Sequence, residues 1–117
     1  MPQHNAINYV ELPAQDLSKI KAFYSQVFGW DFVDYGPEYV AISGGGLDGG
    51  FYQSNQSSKA INGSVLVVIY SDDLEASLAS VESAGGCVVK NIFAFPGGRR
   101  FHFEDPCGNE LAVWSDG

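Results

Sequence analysis

Basic residues are scarce in this chain. Six Lys and Arg stand against 14 Asp and Glu, giving a net charge of -8. No basic cluster exceeds Arg99-Arg100, so phosphate backbones are repelled on average and nucleic acid is not an expected partner. Cysteine is scarcer still. Cys87 and Cys107 form no Cys-x-x-Cys pair, which argues against a disulfide framework and a thiolate zinc site. Cys107 lies in the turn sequence Asp-Pro-Cys-Gly-Asn and is expected to be an exposed, inert thiol. No apolar run approaches the roughly 18 residues that cross a bilayer. The opening Met-Pro-Gln-His-Asn has no basic segment leading into an apolar one, so a cytoplasmic protein without a membrane partner is expected. The glycine run over 44–50 is not followed by Gly-Lys-Ser/Thr, so it is not a phosphate loop.

What is present fits a domain with a real core. The chain has 117 residues, 45% apolar and 17% charged, enough to bury most of its apolar side chains without staples. Residues 7–14 alternate in part and read as a strand. Asp16 can cap a helix whose stripe is Ile20, Phe23, Tyr24, Val27 and Phe28, with Gly29 as its stop. Short strands follow at 30–33 and 38–43, then a glycine-rich loop and a short fourth strand at 51–53. Residues 54–63 carry little apolar material and read as a connector.

The order then recurs. Val65 to Tyr70 reads as a strand buried on both faces, Asp72 or Asp73 as a cap, and Leu74, Leu78, Val81 and Ala84 as a helical stripe closed by Gly85-Gly86. Strands at 87–93, 100–104 and 110–114 complete the set. A constant offset of 57 lays Val10 on Val67, Asp16-Leu17 on Asp73-Leu74, and Gly29 on Gly86, which argues for an internal repeat. The expected fold is α+β: two tandem βαβββ modules, about 5–54 and 64–117 with a connector at about 55–63. Their sheets would form a shared concave trough with the helices outside. Parity sends Tyr9, Glu11, Leu66, Val68, Tyr70, Glu110, Ala112 and Trp114 toward the trough.

The motifs Tyr9-Val-Glu-Leu-Pro-Ala-Gln-Asp16-Leu, Phe23-Tyr24, Val27-Phe28-Gly29-Trp30, Asp72-Asp73-Leu with Ala84-Gly85-Gly86, and Asp105-Pro-Cys-Gly-Asn109 resemble the glyoxalase / bleomycin-resistance / extradiol-dioxygenase (vicinal oxygen chelate) superfamily. They look most like small bacterial proteins related to lactoylglutathione lyase. The resemblance implies a trough in which metal-dependent members place His, Gln or Glu ligands on the first, fourth, fifth and eighth strands. Here those positions fall on Tyr9, near Tyr52 or Gln53, on Leu66 and on Ala112. Leucine and alanine cannot coordinate, so neither a metal nor another cofactor is expected.

Three functions follow as expectations. The first is a binding protein that holds a small, partly apolar molecule with Tyr9, Tyr52, Leu66, Val68, Glu110, Ala112 and Trp114. Glu11 would be its candidate acid or base if closure of the trough desolvates it, and the acidic chain would suit a cationic ligand. The second is a lyase, isomerase or dioxygenase with Ni, Zn, Fe or Mn in a shifted site built from Glu11, His102, Glu104 and Glu110. It requires His102 and Glu104, rather than Phe101 and Phe103, to face the trough. The third is a homodimeric binding or regulatory module whose aromatics make a two-fold contact. Arg99 and Arg100 could hold a carboxylate, although a solvated turn is the commoner fate of such a pair.

Overall fold

A computed structural model describes residues 2–117. The first module runs β1 (Tyr9–Ala14), α1 (Leu17–Phe28), β2 (Asp31–Asp34), β3 (Tyr39–Ser43) and β4 (Asp48–Gln53). A 3-10 turn at Ala60–Asn62 interrupts the connector. The second module runs β5 (Val68–Tyr70), α2 (Leu74–Ser83), β6 (Cys87–Phe95), β7 (Gly98–Glu104) and β8 (Glu110–Ser115). The sheet orders are β1-β4-β3-β2 and β5-β8-β7-β6, with the first pair parallel and the others antiparallel in each. The α+β fold of two tandem βαβββ modules is therefore as expected.

The repeat holds at the helix starts. Asp16 and Asp73 are both N-caps in the extended conformation, and their carboxylates accept from Lys19 N and Ala76 N at 3.1 Å each. That settles the cap of α2 on Asp73. Gly29 closes α1 at φ 72°, a left-handed conformation that glycine adopts without penalty.

Both helices lie on the side away from the open sheet faces. They do not cover their own sheets separately. On α1, Tyr24 packs on Phe51 of β4, while Phe23 and Phe28 pack on Phe103 of β7. One hydrophobic core therefore joins Leu12, Ile20, Phe51, Leu74, Phe101, Leu111 and Val113 from both modules.

Several expectations change. The fourth strand starts at Asp48, so Gly49 and Gly50 belong to it. A Cβ at Gly49 would lie 2.5 Å from the Val10 carbonyl oxygen, and one at Gly50 would overlap the Tyr39 ring. Glycine here serves close packing inside a strand rather than a loop. The fifth strand is only three residues long and lies at a sheet edge; Val65 is 81% exposed and Leu66 precedes the strand. The burial expected on both its faces is absent: Ile69 packs on the core, while Val68 and Tyr70 lie on the open face that the single chain leaves uncovered. Cys107 is buried, with its thiol 3.7 Å from the Asp16 carbonyl oxygen; Cys87 is the exposed cysteine.

The turn containing Cys107 is a clasp between the modules. Asp105 Oδ1 accepts from Cys107 N and Asn109 N, and Oδ2 accepts from the Tyr24 hydroxyl and Asn109 Nδ2. Asn109 Nδ2 also donates to the Pro13 carbonyl at 2.7 Å, and its Oδ1 accepts from Ser58 N. The polar connector is thereby pinned to the start of β8.

Candidate functional site

The two open faces carry different chemistry. On the first sheet Tyr39 crosses the bare backbone of Gly50. Its hydroxyl donates to Glu11 Oε2 at 2.9 Å and bonds the Tyr9 hydroxyl at 2.5 Å. Desolvation, then the bonds to Tyr9 and Glu11, push the Tyr39 phenol well above its ordinary value. Glu11 itself is exposed in the single chain. Tyr52 shares this face with Asp48 and Gly50, whereas Gln53 turns away and donates to the Gln15 carbonyl. That fixes the register that the sequence left open between Tyr52 and Gln53.

On the second sheet the ladders place Val68 beside Ala112 and Tyr70 beside Trp114, with His102 across from Ala112 and Arg100 across from Trp114. His102 and Glu104 therefore line the open face, and Phe101 and Phe103 the core. His102 is only 6% exposed. Its Nδ1 lies 2.9 Å from Glu110 Oε2, and Glu110 Oε1 accepts from Ala60 N. The His102 contact holds the Glu110 carboxyl below its ordinary range, against the opposing effect of burial. Glu104 is held by Lys59 at 2.9 Å. Tyr70 donates to Asp116, which pushes its phenol up to about 12.

A cavity of about 920 Å³ runs along the seam where the edge strands β1 and β5 face one another. Tyr9, Glu11, Leu66, Val68 and Tyr70 line it, with Phe28 and Trp30 contributing from the core side. Of the residues singled out in the sequence, this seam gathers Tyr9, Glu11, Leu66 and Val68. Tyr52 borders an adjoining cavity of about 660 Å³ with Glu11. Val68 and Trp114 border a third of about 350 Å³ with Phe95, Gly97 and Arg100. Ala112 and Glu110 lie on the open face of the second sheet.

The donors of the shifted metal site are divided between the sheets, and among the described residues no three His, Cys, Asp or Glu side chains come together. Of the positions that the resemblance assigns to ligands, Leu66 and Ala112 offer no donor atom. The donor set does not fit the family's metal, and no step through a metal is derived.

The family model described as Glyoxalase/Bleomycin resistance protein/Dioxygenase superfamily matches residues 6–113. The chain belongs to this superfamily. Among solved structures it is similar to a glyoxalase-related enzyme from Fulvimarina pelagi, at 17% identity and TM-score 0.78, covering 95% of this chain and 88% of that one. It is also similar to a lactoylglutathione lyase from Agrobacterium tumefaciens, at 27% identity and TM-score 0.70, covering 95% and 93%. A third likeness is to the fosfomycin resistance protein FosX from Listeria monocytogenes, at 14% identity and TM-score 0.78, covering 97% and 94%. No curated protein matches the sequence. No helix of the superfamily domain described here is long and apolar enough to cross a membrane.

The sequence reading missed the Asp105–Asn109 clasp and the cluster of Arg100, Phe93 and Phe95. The first was legible as a turn but not as a contact between modules. The second depends on a register shift in β6 between Lys90 and Phe93.

Proposed function

We propose that this chain is one domain of two modules that binds a small, partly apolar molecule without the superfamily's standard metal site. The observation that supports this reading is the seam cavity. Its volume suits a small ligand, its walls are mainly apolar and aromatic, and its polar groups are few. Tyr9 and Glu11, linked through Tyr39, are positioned to receive a ligand's polar end, while Leu66 and Val68 receive its body. Glu11 remains the candidate acid or base, a role that requires a bound ligand or a second subunit to remove water from it.

A homodimer belongs to the same reading. Because the covered faces of both sheets meet in one core, a single chain leaves both open faces to solvent: Tyr9 is 44% exposed and Val68 43%. A second copy would cover them. The compartment consistent with this reading is the cytoplasm.

The test is saturation-transfer NMR with a library of small planar molecules, on protein stripped of metal with a chelator. Binding is expected to survive stripping and to be lost in Leu66→Glu, which places a charge in the seam. Binding or turnover that vanishes on stripping and returns with Ni, Zn, Fe or Mn would overturn the metal-free reading and favour a lyase, isomerase or dioxygenase.

A further inference from the structure

The net charge of -8 suggests a cationic ligand, but the open face of the second sheet carries two cations that no described carboxylate pairs. Three ion pairs engage Lys21, Lys59 and Arg99, and His102 bonds Glu110 through Nδ1. Lys90 and Arg100 pair with no carboxylate among the described residues, and both lie on this face. Lys90 Nζ lies 4.4 Å from the centre of the Phe93 ring; Arg100 Cζ lies 5.3 Å from Phe93 and 5.6 Å from Phe95. The aromatic rings hold the guanidinium in place. Glu110 bonds His102, Glu104 bonds Lys59 and Asp116 accepts from the Tyr70 hydroxyl, so none of these acids pairs with Arg100.

Two buried nitrogens on this face have no hydrogen-bond partner among the described residues: Arg100 Nε and His102 Nε2. The Arg100 Nε–H is a donor in every state, and a buried donor left unpaired is costly, so it calls for a partner. Arg100 also borders the cavity of about 350 Å³ whose other walls are Val68, Phe95, Gly97 and Trp114. That volume is within the range of small-ligand sites. A guanidinium presents parallel N–H donors that match the two oxygens of a carboxylate.

We infer that this face binds a small organic carboxylate, with Arg100 receiving the carboxylate and Phe95, Trp114 and Val68 receiving its apolar body. The inference rests on the small-molecule reading above and reverses the charge of the ligand expected from composition. Lys90 adds favourable potential without a fixed contact.

The experiment uses the whole chain and three probes of one shape: benzoate, benzylamine and benzyl alcohol. The indole N–H resonance of Trp114, assigned by its loss in Trp114→Phe, reports on this cavity; that of Trp30, which lines the seam, reports on binding there. Benzoate is expected to shift the Trp114 resonance saturably and at least tenfold more tightly than benzylamine. Arg100→Gln is expected to weaken benzoate at least tenfold, and Arg100→Lys by less. The order of the three probes on the unaltered protein decides the matter even if Arg100→Gln does not fold. Benzylamine binding as tightly as benzoate, or benzoate binding unchanged in a folded Arg100→Gln, would overturn the carboxylate assignment alone. A dimer that Arg100→Gln dissociates, with benzoate silent on the unaltered protein, would overturn it in favour of a subunit contact. No probe shifting any resonance at this cavity or at the seam would sink the small-molecule reading itself.

Discussion

The two modules share a backbone plan but not the chemistry of their open faces. Each begins with a strand at a sheet edge, a capping aspartate and a helix that starts at a leucine 57 residues from its counterpart. On the first open face a glycine in β4 lets Tyr39 lie flat and join Tyr9 to Glu11. On the second, Ala112 occupies the strand that pairs with β5, and His102, Arg100 and a row of aromatics surround it. The caps are dictated by unpaired N–H groups at helix starts, which are the same in both copies, whereas the stops differ: α1 ends on left-handed Gly29, and α2 on Ala84 ahead of left-handed Gly85 rather than on Gly86. Open-face side chains answer only to what covers them. The duplication thus repeats its scaffold and assigns each face its own chemistry.

The sharpest way to break the comparison is at the clasp, which exists in the second module alone and closes it on the first. Asp105 accepts four hydrogen bonds from buried donors. Asp105→Asn places an amide N–H against some of those donors, and the expected loss is on the order of 3 kcal/mol of unfolding free energy. Urea unfolding followed by circular dichroism measures it. The clasp also has a pH signature. Burial raises the Asp105 carboxyl above its ordinary value despite the bonds it accepts. The folded state therefore holds this proton more tightly than the unfolded chain, so its contribution is fully present below the unfolded value and lost as pH rises through the folded one. Asp105→Asn is expected to remove that component. A variant as stable as the parent would mean that the modules do not depend on the clasp.

A smaller effect separates the faces themselves. Gly50→Ala puts a methyl group where the Tyr39 ring lies. The ring has to leave, which is expected to cost about 1–3 kcal/mol and to release both Tyr9 and Glu11. Ultraviolet titration should then show a tyrosine returning toward the ordinary range. No change in either quantity would remove Gly50 as the support of the first face.

The shared scaffold is tested by its caps. Asp16→Ala and Asp73→Ala are each expected to cost about 1 kcal/mol, with nearly equal values by thermal or urea unfolding. A clear inequality would show that the repeat is one of sequence pattern without equal energetic weight. These caps were also the most legible features of the sequence. An aspartate ahead of a 3.6-residue apolar stripe and a glycine behind it has a local cause that needs no tertiary contact. The covered faces were legible for a related reason, since alternation alone separated Val10 and Leu12 from Tyr9 and Glu11.

The site was less legible because its causes are non-local. Alternation places Lys90 on the face opposite Phe93 and Phe95, yet all three share one. The register shift between Lys90 and Phe93 brings this about, and nothing in the composition of the strand announces it. That irregularity places Phe93 and Phe95 under Arg100. Asp105-Pro-Cys-Gly-Asn was read as an exposed turn because turn residues are usually solvated. The partners that bury it, Tyr24, Pro13 and Ser58, come from three distant segments. The unpaired state of Arg100 could not be inferred either, since it requires knowing where every carboxylate lies.

The smallest expected effect concerns Glu110, and its sign is opposite to that of Asp105. His102 holds Glu110 below its ordinary range, so the stability this contact contributes is present above the unfolded carboxyl value and lost as pH falls through the folded one. One acid therefore weakens the fold as pH rises, and the other as pH falls. Carbon-detected NMR of the Glu110 carboxyl is expected to show a low midpoint that moves up in His102→Gln. His102 Nδ1 stands 2.9 Å from Glu110 Oε2, and this contact orients the ring on the second open face. The titration thus tests the orientation of His102 on the second face as well as its stability. An ordinary midpoint in the unaltered protein would dissolve the pair and leave His102 with no fixed orientation toward a ligand. A low midpoint that His102→Gln leaves unmoved would shift the cause to Lys59 and the Ala60 backbone N–H, which also favour the ionised form.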